Sequence, residues 1–329
     1  RNSSSMLAAG FRSSRALVPS TRLVAPAASS SLDFQSRTMA INLSDLAKRI
    51  KATANVAKLT GVMKLVASSK LKAVEDGLVV GRPFGAALKQ AVTIPAEEAE
   101  KTAEEVGKKK VLSVVVTTDR GLCGGVNSAV CRFAREKFDE VTASGHELSI
   151  FGLGDKARSQ LAKEYPDEMA FHIDGCMDKD PIFPLAAAIA EKIVRQDFDQ
   201  IMFVYNEFEN AVKFNTVTAY VPTMSGFDVG VLPPKLDGYE VEPENNEEAL
   251  SNMMEYSVAG LMYAIMLESQ ACEVSQRIIA MDNASTNAGD MVDRFTLQYN
   301  RARQAKITTE LTEIVAGAES LVDDSAEDQ

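Results

Sequence analysis

Apolar residues recur along this chain with more than one period, and each period predicts a different kind of element. Between residues 43 and 80, Leu43, Leu46, Ile50, Ala54 and Ala57 stand at helical spacing. A wider stripe follows them: Leu59, Val62, Met63, Leu65, Val66, Leu71, Val74 and Leu78. Asn42 or Ser44 supplies a cap at the start, and Gly81-Arg82-Pro83 predicts the end of this helix. From Glu247 to Ser320 there is no proline, and Gly260, Gly289 and Gly317 are the glycines. Here Leu250, Met254, Ser257, Leu261, Ala264, Leu267, Ala271, Val274, Ile278, Met281, Ser285, Ala288, Val292, Phe295, Tyr299 and Ala302 recur at steps of three and four. That is the 3.5-residue period of a coiled-coil seam, with one slip at 261–264–267. A helix of that extent would be roughly 110 Å long at ~1.5 Å per residue, deeper than any globular core, so it needs a partner.

The first helix is the natural partner. Residues 39–80 carry seven basic and three acidic side chains, residues 250–320 five basic and nine acidic, and opposite balances favour pairing. Between the two, strand and helix patterns alternate. VLSVVVT (111–117), ELSIFG (147–152) and MAFHI (169–173) read as strands; 126–142, 155–164 and 182–196 read as helices. QIMFVYNEF (200–208) and VKFNTVTAYV (212–221) read as a terminal hairpin. The pattern predicts an α/β fold: a mostly parallel, Rossmann-like sheet covered by helices, with an antiparallel hairpin at its edge, joined to a long antiparallel coiled coil of N- and C-terminal helices. Residues 94–110, rich in Glu and Lys, read as a solvated linker or polar helix, and 222–246, with four prolines, as a loop region. The expected organisation is a leader over 1–38, a helix over 39–83, the α/β domain with its linkers over 84–246, a helix over 247–320 and an acidic tail over 321–329.

Composition changes this picture at the N-terminus. Residues 1–38 hold five arginines, no lysine, ten serines and one acid, Asp33, the composition of a mitochondrial transit peptide with a cleavage point near Arg37–Met39. A disordered basic tail is the alternative, disfavoured because arginine is used to the exclusion of lysine. The whole chain has a formal net charge of −11, and the remainder without that basic leader is more acidic still, which argues against nucleic acid as a partner. No apolar run approaches the ~20 residues needed to span a bilayer. Cys123, Cys131, Cys176 and Cys272 lie far apart with no CxxC pair, so neither a zinc site nor a disulfide framework is expected.

Two stretches resemble reaction chemistry. TTDRGLCGG (117–125) follows the first strand, and its Gly121-x-Cys123-x-Gly125 has the spacing of a nucleophile elbow. A thiolate there needs a base, and His172 with Asp174 just beyond would complete a triad; His146 is the other histidine of the chain. Glycines after a first strand also serve a plain strand-to-helix turn. Gly152-Leu-Gly154-Asp-Lys-Ala157 fits the dinucleotide fingerprint, with Asp174 as the ribose contact. It follows the second strand rather than the first, and a tight turn with helix–strand packing accounts for it equally. The phosphate loop GxxxxGK[ST] is absent. Neither motif explains two long helices, which an enzyme does not need and a mechanical protein does.

The C-terminal stretch ITTELTEIVAGAES (307–320), the preceding YNRARQAK (299–306), the N-terminal RIKATANVAKLTGVMKLVASSKL (49–71) and TTDRGLCGG together resemble the γ subunit of F-type ATP synthases. The resemblance spans nearly all of 41–320. It implies a non-catalytic rotor shaft that transmits torque between a membrane ring of c subunits and a hexamer of α and β subunits, where the β subunits carry the catalytic sites. Further partners implied are the δ/ε subunits of the central stalk. No catalytic residue, cofactor or metal is implied for this chain.

By motif position the resemblance implies partner contacts through Lys58, Met63 and Lys64 on the first helix and Arg277, Arg301, Arg303, Gln304, Thr308, Glu310 and Glu313 on the second. Gly317 and Ala318 would let the tip pass closely through an apolar bearing. Asp119, Arg120, Gly121, Cys123, Gly124 and Gly125 would form a structural turn at the foot. Met63 could equally be a seam residue and the charges a solvated face. Several features depart from the family's pattern: Gly61 sits mid-helix, at a cost of about 1 kcal/mol relative to Ala; the chain is acidic where basic forms are expected; and VDDSAEDQ extends past the usual end. Cys176 stands alone where chloroplast forms carry a regulatory dithiol, so a mitochondrial form on the matrix side of the inner membrane is expected.

Overall fold

A computed structural model describes residues 42–101, 107–223 and 246–327; the proposed leader and most of the proline-rich loop lie outside them. The elements are α1 (Leu43–Val92), α2 (Ala96–Ala99), β1 (Lys110–Val116), α3 (Val126–Ala143), β2 (Glu147–Leu153), α4 (Asp155–Leu161), β3 (Met169–Ile173), α5 (Phe183–Val194), β4 (Gln200–Phe208), β5 (Phe214–Pro222) and α6 (Asn246–Glu327). The chain divides into two compact units, one of residues 48–297, the other of the two chain ends up to residue 47 and from 298 onward.

In the larger unit the sheet order is β3-β2-β1-β4-β5. β1 pairs in parallel with β2 and β4, β2 in parallel with β3, and β5 closes the edge antiparallel to β4. Because side chains alternate across a strand, the unbroken apolar run of β1 feeds two cores. Leu112, Val114 and Val116 face Ile189 and Ile193 of α5 together with Val258, Met262 and Met266 of α6. Val111 and Val115 face Val130 and Phe138 of α3 and Leu161 of α4. The expected fold class is the one observed, and the terminal hairpin is where the alternating pattern put it.

Two long helices accompany this domain, and within the larger unit they run antiparallel. The Ser285 hydroxyl donates to the Ala57 carbonyl at 3.3 Å, Lys64 pairs with Asp282 at 2.7 Å, and Arg82 pairs with Glu268 at 2.7 Å. On α6 the seam is the expected one: Met254, Ser257, Leu261, Leu267, Ala271, Val274, Met281 and Ala288 are buried. On α1 it is different. The positions turned inward include Thr53, Ala57, Thr60, Lys64, Ala67, Leu71, Val74, Leu78, Gly81 and Gly85, a regular alternation of three and four. Leu59, Val62, Leu65 and Val66, expected in the stripe, are exposed; Leu65 is 71% exposed. Leu71, Val74 and Leu78 of the expected stripe do turn inward, into an apolar cluster with Leu267, Ala271 and Val274; elsewhere on α1 the seam is made mostly of small residues, which let the two helices approach.

Gly81-Arg82-Pro83 does not end α1, which continues to Val92 with Pro83 inside it. The reason is tertiary. A Cβ on Gly81 would stand 2.4 Å from Leu267 Cδ1 and one on Gly85 2.4 Å from the Ala264 Cβ, so α6 packs directly onto the α1 backbone on both sides of the proline. Val92 is fully buried in the sheet's core. Packing of this kind outweighs the ~3 kcal/mol that proline costs inside a helix. At the start of α1, Asn42 is the cap: its carboxamide oxygen accepts the Ser44 amide at 3.1 Å.

In the smaller unit, α6 continues past Ser320 to Glu327, helical through the stretch expected as a tail. Residues 303–318 are exposed at every position.

Candidate functional site

The glycine loop after β1 is a structural junction. Thr118 accepts and donates within a closed set: its amide donates to the Asn127 carboxamide oxygen at 2.9 Å, Asn127 Nδ2 donates to the Thr118 hydroxyl at 2.8 Å, and that hydroxyl donates to the Arg120 carbonyl at 2.6 Å. Cys123 is buried inside this set, with Asn127 Nδ2 at 3.3 Å from its sulfur. Burial pushes its thiol pKa up, against a lowering by the Thr118 hydroxyl. A nucleophile needs the opposite, a thiolate favoured by a neighbouring base. His172, offered by the sequence as that base, takes a hydrogen bond from Arg158 at 3.3 Å instead, and His146 braces Lys101 and Lys109.

The dinucleotide reading fails for a related reason. The amides at the start of α4, where a phosphate would sit, are satisfied from β1's loop: Asp155 N–H by Asp119 Oδ1 at 3.1 Å and Ala157 N–H by the Thr117 hydroxyl at 2.8 Å. Gly154 has φ +93°, and a Cβ there would lie 2.6 Å from the Thr117 carbonyl oxygen. The glycine serves a strand crossing. Asp119 Oδ2 also accepts the Met177 amide at 2.7 Å, so one carboxylate ties three loops.

This junction rests on α6. Arg277 donates to the Gly121 carbonyl at 3.4 Å and pairs with Glu273, which is buried. Burial raises the Glu273 pKa, with the Arg277 guanidinium pulling the other way. Arg120 reaches across to Asp178 at 2.7 Å. At the tip of the loop Leu122 stands 62% exposed with φ +61°, an apolar side chain held outward on left-handed backbone. Arg277 and the 119–125 turn, separate candidates in the sequence, are thus one assembly.

The other candidates are distributed along the helices. Lys58 is exposed, Met63 half-buried, and Lys64 is engaged with Asp282. Arg301, Arg303, Gln304, Thr308, Glu310, Glu313 and Gly317 are all exposed. The Thr308 hydroxyl donates back to the Gln304 carbonyl at 3.0 Å, and Lys306 pairs with Glu310 at 3.5 Å. Between these polar residues Ile307, Leu311, Ile314 and Val315 form an exposed apolar stripe, from 48% to 67% exposed. Sequence reading missed the buried polar residues: Asn127, Asn206, Glu268 and Glu273. The available signal was a carboxamide or carboxylate inside an otherwise apolar strand or seam, which burial tolerates only with a partner.

Among the described residues there is no group of His, Cys, Asp and Glu able to hold a metal, and no helix long and apolar enough to cross a membrane. The fold is a doubly wound α/β domain packed against one end of an antiparallel pair of long helices, with its elbow-like loop consumed in bracing one of them. The family model described as ATP synthase matches residues 42–321. The ATP synthase gamma chain of Paracoccus denitrificans (strain Pd 1222) is 37% identical over 295 residues, covering 85% of this chain and 99% of that one. The mitochondrial ATP synthase F(1) complex subunit gamma of Rattus norvegicus is 35% identical over 281 residues, covering 85% and 99%. Among solved structures, a chain of the Tetrahymena thermophila mitochondrial ATP synthase central stalk and c-ring matches with TM-score 0.54 and 30% identity, covering 69% of this chain and 99% of that one. A chain from the Euglena gracilis mitochondrial ATP synthase shares the fold at TM-score 0.66 and 18% identity, covering 85% and 94%. The chain belongs to the γ-subunit family of ATP synthases.

Proposed function

We propose that this chain is the central rotor shaft of a mitochondrial, proton-translocating ATP synthase. It transmits torque between a c-subunit ring and a hexamer of α and β subunits and performs no chemistry itself. It would sit peripherally on the matrix side of the inner membrane, reached by way of the arginine- and serine-rich leader over residues 1–38. The observation that carries the reading is the run 303–318 of α6, helical and exposed at every position, with four large apolar residues on one stripe. An exposed apolar stripe of this kind marks a surface that binds a partner, and the family signature falls on these same residues.

The shaft acts through differential contact: it stabilises one state of each β subunit over another only because its faces differ. Lys58, Met63 and Lys64 on α1, and Arg277, Arg301, Arg303, Gln304, Thr308, Glu310 and Glu313 on α6, are the proposed partner contacts. Gly317 is the close-passing point at the tip, and residues 119–125 form the foot turn. The δ/ε subunits of the central stalk are further proposed partners.

The test is reconstitution of residues 39–329 with separately purified α and β subunits, a bead on the α/β domain, and MgATP. Rotation that survives Cys123→Ala is the expected result. Assembly without rotation, or no assembly, would sink the reading.

A further inference from the structure

Resting on that rotor reading, we propose that Arg82 and Glu268 form a torsional strap that fixes both long helices to the end of one strand, so that twist passes between the α/β domain and the helix pair through this joint, beside the single-helix links such as Arg277 to Gly121 and Lys89 to Tyr205. Three elements close a ring here. Arg82 of α1 donates from Nε to Glu268 Oε1 of α6 at 2.7 Å and from Nη2 to Oε2 at 3.1 Å. Phe208, the last residue of β4, donates its amide to Glu268 Oε2 at 2.8 Å, and its carbonyl accepts from Arg82 Nη2. The Arg82 guanidinium also lies 5.9 Å from the centroid of the Phe208 ring. Glu268 is buried, and the hydrogen bond to it holds the Arg82 pKa above its ordinary value.

The need for a directional link follows from the surroundings. Apolar burial is non-directional, so it fixes the angular setting of a helix less sharply than an oriented hydrogen bond does. Packing at this joint is also incomplete. A cavity of about 160 Å³ lies beside the ring, lined by Leu78, Gly85, Lys89, Tyr205, Leu261 and Ile265 among others. The close contacts at Gly85 and Gly260 join helix to helix and do not reach the sheet. Charge-assisted, bidentate hydrogen bonds that end on the backbone of a strand resist roll because their geometry is fixed. Arg82 and Glu268 are positioning residues: they meet no nucleotide and act through the rigidity of the joint.

The experiment uses the reconstituted complex with the bead on the α/β domain. Wild-type rotation is measured first and tests the rotor reading independently. Angular variance of the bead during pauses, unloaded MgATP hydrolysis and the melting temperature of the free chain are then compared across Arg82→Lys, Glu268→Gln and the swap Arg82→Glu with Glu268→Arg. The expected result is at least a twofold wider variance for Glu268→Gln and for the swap, with hydrolysis unchanged and melting within a few degrees. Arg82→Lys, which keeps the charge but loses the fork, should widen it less. The swap is the sharp arm. It keeps opposite charges between the helices but turns an acceptor toward the Phe208 carbonyl and a donor toward its amide. Wild-type variance in the swap, or in all three variants, would overturn the strap.

Discussion

Asp119 and Asp155 meet backbone to side chain: the Asp155 amide donates to Asp119 Oδ1 at 3.1 Å while the Met177 amide donates to the other oxygen. This contact converts what looks in the sequence like an active-site turn into a brace among three loops. Replacing Asp119 with Ala leaves two amides without their acceptor, which should cost about 1–3 kcal/mol. Urea denaturation of the free chain measures it, and Asp119→Asn, which keeps one acceptor, should recover part of the loss.

Two helical glycines should respond to the same substitution with opposite signs. A Cβ on Gly61 meets only the Ser285 hydroxyl oxygen at 3.8 Å, ordinary contact, so Gly61→Ala should stabilise by up to about 1 kcal/mol. Gly85→Ala forces a methyl against Ala264 and should destabilise by about 1–3 kcal/mol. Denaturation midpoints of the two variants, read side by side, decide it.

Thiol reactivity should follow burial. Cys123, Cys131 and Cys272 are buried and Cys176 is only partly so. Burial raises the pKa of all four, that of Cys131 to about 11. Alkylation of the native chain at pH 8, followed by peptide mass mapping, should modify Cys176 first and the others after denaturant is added. Early modification of Cys123 would revive it as a reactive group.

Glu100 carries a pH signature. Burial works to raise its pKa, but hydrogen bonds from Lys137 and Tyr220 outweigh it and hold the carboxyl below its ordinary value of about 4.5. A depressed folded pKa means its contribution is present above the unfolded value and is lost as pH falls through the folded one. The Glu100 side chain is 37% exposed, so solvent screening keeps the effect modest. Glu100→Gln should cost about 0.5–1 kcal/mol at pH 7 and progressively less below pH 4.5, as paired urea titrations at the two ends of that range would record.

The exposed stripe of α6 should matter for assembly and not for folding. Leu311→Gln with Val315→Gln touches side chains that are exposed in the free chain, so its own stability should move by less than about 0.5 kcal/mol. Affinity for the hexamer of α and β subunits should fall at least tenfold, since each side chain buried in a partner contributes about 1.5–3 kcal/mol. Analytical ultracentrifugation of the mixture measures the difference.

Much of this was legible from residue order. VLSVVV announced a strand buried on both faces, the alternation in VKFNTVTAYV announced the edge hairpin, and the three-four steps from Met254 to Ala288 announced a seam. What the pattern misjudged was α1. There Leu71, Val74 and Leu78 pack inward as the pattern has them, but Leu59, Val62, Leu65 and Val66 face outward, and over that stretch the seam runs through Ala57, Thr60, Lys64 and Ala67. Hydropathy measures what a residue gains by leaving water, whereas this seam selects for how near a backbone can come. Pro83 misled for a similar reason, because a local breaker carries no information about packing from Leu267 and Ala264 far along the chain. The strap was out of reach altogether: nothing local couples Arg82 to Glu268 or to the end of β4.

The glycine contacts at 85 and 260 also fix how the two helices are set lengthwise. Helices joined by interchangeable leucines can slip by a heptad and find an equivalent fit, so a load along the axis would drive them past one another like a screw in its thread. Here a slip would set Ala264 or Leu88 against a residue with a side chain, and the fit would be lost. The pair has a single longitudinal setting. Whatever work is done on it is therefore delivered as rotation and not dissipated as lengthwise travel.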